Sequence, residues 1–280
     1  MVRLVKGSEA KGQGEKMNNK AKVMRIVLNV LIVIVACVML FCVYKLYTIW
    51  QEYNSNQKTQ EKVQELFYGQ GDSQTEEMSG GSVQTEAGKQ KYDMTLDPVI
   101  AANEDTVGWI KVEDTVIDYA VVQGVDNDEY LHKGFYGEYN SAGTIFLDYR
   151  NEIGAKYQNL IVYGHRMKDN SMFGELGEYL DYGFYQQHPS FTFITEDAEY
   201  DCEIFAIYRC TTEVDYCQPT FATDEEMLDY IQDCKDLSEH KMAVDVTAED
   251  TIITLSTCDY DLDPDLGRLV VHAKLIKKDK

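Results

Sequence analysis

Residues 251–276 read TIITLSTCDYDLDPDLGRLVVHAKLI, two β-branched runs on either side of an acidic connection. Successive side chains of a strand point to opposite faces. The first run therefore places Ile253 and Leu255 on one face and Thr254, Ser256 and Cys258 on the other. In the second run Leu269, Val271, Ala273 and Leu275 share a face, opposite Arg268, His272 and Lys274. The connection, DYDLDPDLG (259–267), contains Pro264 and Gly267 and suits a hairpin-like loop. Antiparallel pairing then sets Cys258, ending one strand, against Arg268, opening the next, with facing Cβ atoms roughly 4.5–5.5 Å apart. Aspartates 259, 261, 263 and 265 start like a calcium loop. Pro264 stands where the turn glycine belongs and Val270 where the bidentate glutamate belongs, which excludes that reading.

Upstream, the same texture recurs. VGWIKV (107–112), VIDYAVVQ (116–123), GTIFLD (143–148), NLIVYG (159–164), SFTFIT (190–195) and YDCEIFAIYRC (200–210) are short, rich in β-branched and aromatic residues, and separated by Gly, Asn and Asp. They predict an all-β barrel or sandwich with accessory helices. A short helical stretch is expected over 97–103. A clear helix, TDEEMLDYIQDCKDL (223–237), opens with a capping box of Thr223 and Glu226. It sets Met227, Ile231 and Cys234 at i, i+4 and i+7, so Cys234 is a core-facing residue rather than a nucleophile.

The front of the chain has a different character. Residues 1–50 carry eight Lys/Arg against two Asp/Glu, and the remainder carries eighteen against forty-six, within a net charge of −22. So acidic a domain repels phosphate backbones, which argues against nucleic acid as a partner. Residues 26–44 contain no formal charge, and as a helix they would span about 28 Å, close to the hydrocarbon thickness of a bilayer. The run is long for a cleaved signal peptide, and no small-x-small site follows before Lys45, so an uncleaved signal anchor is expected. Seven basic residues, Arg3 to Arg25, precede the span and Lys45 follows it, which puts the N-terminus in the cytoplasm and the rest outside the cell. Residues 69–91, rich in Gly, Ser, Gln and Glu, read as a flexible stalk. The expected organisation is a basic cytoplasmic tail (1–25), a transmembrane anchor (26–44), a juxtamembrane helix and stalk (45–92), and an extracellular catalytic domain (93–280).

Cys37 and Cys42 lie in the apolar span. Cys202, Cys210, Cys217, Cys234 and Cys258 lie beyond it, an odd number, so at least one exported thiol is free. The spacings fit no zinc pattern, and no metal or cofactor is expected. A free Cys258 beside Arg268 has chemical content, because nearby positive charge favours the nucleophilic thiolate and a guanidinium can hold an oxyanion. Asp259, next in sequence, works against a thiolate. Acyl transfer by a thiol also needs a proton carrier, usually histidine. His165, after an apolar strand and a glycine, and His272, in mid-strand, are both open candidates from the residues alone.

At this point the chain resembles the sortases, and among them class B. The likeness rests on NLIVYGHRM around His165, TLSTC around Cys258, and GRLVVHAKL with Arg268 ten residues after the cysteine. It continues through VGWIKVEDTVIDYAVVQGVDNDEYL and GTIFLD, and the helix at 223–238 looks like the class B insertion. The resemblance implies a closed eight-stranded sortase-type β-barrel behind the N-terminal transmembrane helix, carrying a transpeptidase. In that family pattern Cys258 attacks the threonine carbonyl of a C-terminal sorting motif in an exported protein, giving a thioacyl enzyme. His165 serves as general acid and base, and Arg268 holds substrate and oxyanion. The acceptor is an amino group of the peptidoglycan cross-bridge or its lipid-linked precursor. Asn127, Leu131, Tyr163 and Ser256 fall at substrate-groove positions. Two rivals stand beside this reading: an exported cysteine peptidase or cell-wall hydrolase with water as acceptor, and a membrane-anchored binding domain in which Cys258 is structural.

Overall fold

The computed structural model describes residues 6–69, 95–156 and 158–278. The stalk expected over 69–91 lies, except for Gly69, outside the described residues. The first helix, α1 (Lys6–Tyr68), is continuous, and its segment from Met24 is long and apolar enough to cross a membrane.

From Asn56 onward the chain packs as one unit. A short helix, α2 (Asp97–Ala102), leads into β1 (Thr106–Lys111), β2 (Asp118–Val122), β3 (Phe146–Leu147) and β4 (Asn159–Tyr163). After α3 (Tyr182–Gln187) come β5 (Ser190–Ile194) and β6 (Glu199–Thr211), then α4 (Asp224–Leu237), β7 (Ile252–Cys258) and β8 (Gly267–Lys277). The eight strands close into a barrel in the order β1-β2-β3-β4-β7-β8-β6-β5. The expected strands are all there, and β7 pairs β8 antiparallel with Cys258 opposite Arg268.

Alternation sends Ile253, Leu255, Leu269, Val271 and Ala273 into the barrel core with Ile110, Val121, Val162 and Phe193. Each of the Ile, Leu, Val and Phe side chains among them stabilises the fold by roughly 1.5–3 kcal/mol on removal from water. The other face of β7 and β8 is polar in sequence, yet it too is buried. α4 and the chain before it cover that face with a second core of Phe205, Tyr208, Phe221, Met227, Ile231 and Cys234. Polar groups removed from water need partners, and here they form a relay. Thr254 Oγ1 donates to Asn159 Oδ1 (2.6 Å) and meets His272 Nδ1 (2.7 Å), while His272 Nε2 meets the Tyr208 hydroxyl (2.9 Å).

Thr223 caps α4 by accepting from Glu226 N–H (3.2 Å). The capping box is only half formed, because the Glu226 carboxylate accepts from Ala222 N–H (2.7 Å) instead of closing back on Thr223. A 3-10 turn at Gly174–Leu180 and α3 are elements the sequence pattern did not announce. Met172, Phe173, Leu176 and Tyr179 bury their side chains there without a helical period long enough to read.

Candidate active site

Three strand ends converge on one pocket. β4 runs parallel to β7 with Tyr163 beside Ser256, and two bonds continue the pairing past the end of β4. Gly164 N–H donates to Ser256 O (3.2 Å), and Thr257 Oγ1 donates to Gly164 O (2.8 Å). His165 therefore leaves the sheet alongside Cys258. Gly164 is required at this crossing because a Cβ would run into the side chains of Ile145 and Phe173. On the other side of β7, Arg268 opens β8 opposite Cys258. Gly267, just before it, admits the Asp259 backbone: Asp259 N–H donates to Gly267 O (2.9 Å), and a Cβ would collide with the Asp259 carbonyl.

The pocket has a volume of about 290 Å3. Cys258, His165 and Arg268 all line it, as do Asn127, Leu131, Tyr163 and Ser256, so every site residue predicted from sequence reaches one cavity. Asp128, Phe146, Gly164, Tyr216 and Thr257 complete the lining and were not anticipated. Tyr216 arrives from the connection after β6, where no sequence pattern marks it.

The imidazole of His165 lies 2.8 Å from the Leu131 carbonyl through Nε2. A carbonyl only accepts, so Nε2 carries the hydrogen and Nδ1 is the atom left to take a proton. Burial, opposed by the Leu131 bond and reinforced by the neighbouring His132, holds the His165 pKa below its ordinary value. The two imidazoles stack with centroids 5.7 Å apart and planes 14° apart. His132 is brought there by the turn at Glu129–Leu131, which it caps.

His272 is excluded as an alternative proton carrier. Its ring is fully buried in the relay described above, and burial lowers its pKa to about 3. Asp259 is also accounted for. Its buried carboxylate is turned into cationic company, 2.9 Å from Arg166 and 3.6 Å from Arg209. Its charge is thus balanced by two guanidinium groups. Arg268 donates to its own loop, Nη1 to Gly267 O (2.8 Å), and Cys258 is partly exposed at the pocket. All seven cysteines are unbridged. Among the described residues, no group of three or more His, Cys, Asp or Glu side chains is placed to hold a metal ion.

The chain is similar to known proteins. The sortase domain family matches residues 110–276. Sortase B of Listeria monocytogenes is 44% identical over 176 residues, covering 63% of this chain and 72% of that protein. Sortase B of Staphylococcus aureus is 38% identical over 175 residues, covering 62% and 72%. Among solved structures, sortase B from Bacillus anthracis in complex with AAEK1 superposes with a TM-score of 0.67 at 38% identity, covering 82% of this chain and all of that one. A Staphylococcus aureus sortase B–substrate complex gives 0.62 at 37% identity, covering 65% and 84%.

Proposed function

The chain belongs to the sortase family of cysteine transpeptidases, and we propose that it cuts a C-terminal sorting motif of exported proteins after threonine and joins the threonine carboxyl to a cell-wall amine. The observation that carries the reading is the register of β7 and β8, which sets Cys258 opposite Arg268 at a pocket that His165 also lines. In this mechanism the Cys258 sulfur attacks the threonine carbonyl, and neutral His165 takes the thiol proton at Nδ1. Arg268 steadies the oxyanion. The C–N bond then breaks, His165 returns the proton to the departing amine, and a thioester remains on Cys258. An incoming amine attacks that thioester, His165 accepts its proton, the C–S bond breaks, and the departing Cys258 sulfur takes the proton back from His165, restoring thiol and neutral imidazole.

Asn127, Leu131, Tyr163 and Ser256 bind the peptide on either side of the thiol. Residues 1–25 form a cytoplasmic tail, 26–44 the membrane anchor, 45–92 a juxtamembrane helix and stalk, and 93–280 the extracellular catalytic region. The amine belongs to the peptidoglycan cross-bridge or its lipid-linked precursor. A membrane-held transpeptidase meets both the exported protein and that precursor at one surface, which supports the placement. The test incubates the chain in detergent micelles with a panel of threonine-containing sorting peptides, with and without a free amine. Product joined to the amine is expected. Cleavage that ignores the amine would make the protein a hydrolase and overturn transpeptidation.

A further inference from the structure

Asp148, one residue past β3, is fully buried behind the pocket wall and takes no part in the chemistry above. Its carboxylate accepts five hydrogen bonds. Oδ1 receives Arg150 N–H (3.0 Å) and Arg150 Nε (2.8 Å). Oδ2 receives Arg150 Nη2 (2.7 Å), Asn127 Nδ2 (2.9 Å) and the Tyr163 hydroxyl (3.0 Å). A carboxylate has about four lone-pair sites, so this one is saturated. Burial pushes the carboxyl up, but the Arg150, Asn127 and Tyr163 donors outweigh it and hold the group below the usual range. At neutral pH it is charged and accepts only.

An acceptor-only neighbour decides which end of an amide faces it. Asn127 must present nitrogen to Asp148, and its Oδ1 accepts from Tyr149 N–H (3.1 Å) on the other side. Both ends of the amide are thereby specified and a flip would break two bonds. The hydrogen-bonding capacity that remains is the second Nδ2–H and one Oδ1 lone pair, and the N–H is the one donor this residue still offers among the groups that line the pocket. The Tyr163 hydroxyl is likewise committed as a donor to Asp148.

We infer that Asp148 is a positioning residue that fixes the Asn127 amide as a hydrogen-bond donor in the pocket wall, so that this subsite takes a carbonyl oxygen of the peptide substrate. The inference rests on the transpeptidase reading. It is tested on the full chain in micelles with a fluorogenic threonine peptide that the wild type cleaves, comparing Asp148→Asn, Asn127→Ala and the double variant. Asp148→Asn should raise KM about tenfold with kcat within twofold, and the double variant should be no worse than Asn127→Ala alone. A fall in kcat at unchanged KM, or effects that multiply in the double variant, would overturn it. If Asp148→Asn has no cooperative melt, Asn127→Ala alone decides, since it removes the donor without adding charge against Asp148: a raised KM at unchanged kcat upholds the inference and wild-type kinetics overturns it. A wild type that cleaves no peptide overturns the transpeptidase reading itself, and this assignment with it.

Discussion

His272 stores part of the fold's stability in its neutrality. Unfolded, the ring binds a proton below about 6.5; folded, burial postpones that to about 3. Between those values the unfolded chain holds more protons, so stability falls as pH is lowered through the window, by up to about 1.4 kcal/mol per pH unit from this residue. His272→Gln keeps hydrogen-bonding atoms beside Tyr208 and Thr254 and should flatten that slope in denaturant unfolding between pH 6 and 4. An unchanged slope would contradict the assignment. His165 titrates differently, since burial lowers its pKa while the ring still borders the pocket. Its imidazole resonances should titrate below 6.5 by NMR, and a midpoint above 6.5 would remove the neutral base from the mechanism. At this scale the sequence was informative about Cys258 and Arg268 because strand alternation and a short loop determine who faces whom. It did not separate His165 from His272, because a buried relay and a pocket edge read alike until α4 is seen covering one of them. Asp148 was silent for a related reason: apart from Arg150, two residues on, its partners come from a loop twenty-one residues upstream and a strand fifteen residues downstream.

Among the elements, the β7–β8 connection sets the separation of thiol and guanidinium. Gly267→Ala drives a methyl group into the Asp259 carbonyl and must shift β8 or the loop. The expected loss is about 1–3 kcal/mol in stability, with kcat/KM falling more than tenfold because Arg268 is displaced. A variant with wild-type melting and turnover would show that this crossing is not tight. α4 lies elsewhere and its N-cap is separable from the chemistry. Thr223→Ala should cost about 1 kcal/mol and leave kcat/KM within twofold, as measured by thermal melting and peptide turnover. The capping signature was legible in sequence because capping is local. That Glu226 turns to Ala222 N–H was not, because Thr-x-x-Glu specifies what can bond and leaves open a competing backbone donor one residue earlier. The turn at Gly174–Leu180 was missed because tertiary burial, not periodicity, holds it in place.

For the molecule as a whole, the last turns of α1 belong with the barrel. Phe67 is fully buried and stacks on Trp109 with centroids 4.1 Å apart and planes 2° apart. Trp109 Nε1 and the Tyr68 hydroxyl both donate to Asp118 (2.6 and 2.8 Å). Phe67→Ala should cost about 3–5 kcal/mol, readable as a lower denaturation midpoint, whereas an unchanged midpoint would mean the stack adds nothing. Sequence marked this stretch only as a juxtamembrane helix, and the barrel shows what its apolar residues meet. The central claim is that Cys258 carries the acyl group between peptide and amine. It is tested most directly by intact-mass spectrometry of the full chain after brief mixing with a cleavable sorting peptide and no amine. The account predicts an adduct equal to the peptide fragment ending in threonine, absent in Cys258→Ala and discharged on adding amine. Cleavage that proceeds without an adduct and survives Cys258→Ala would contradict it.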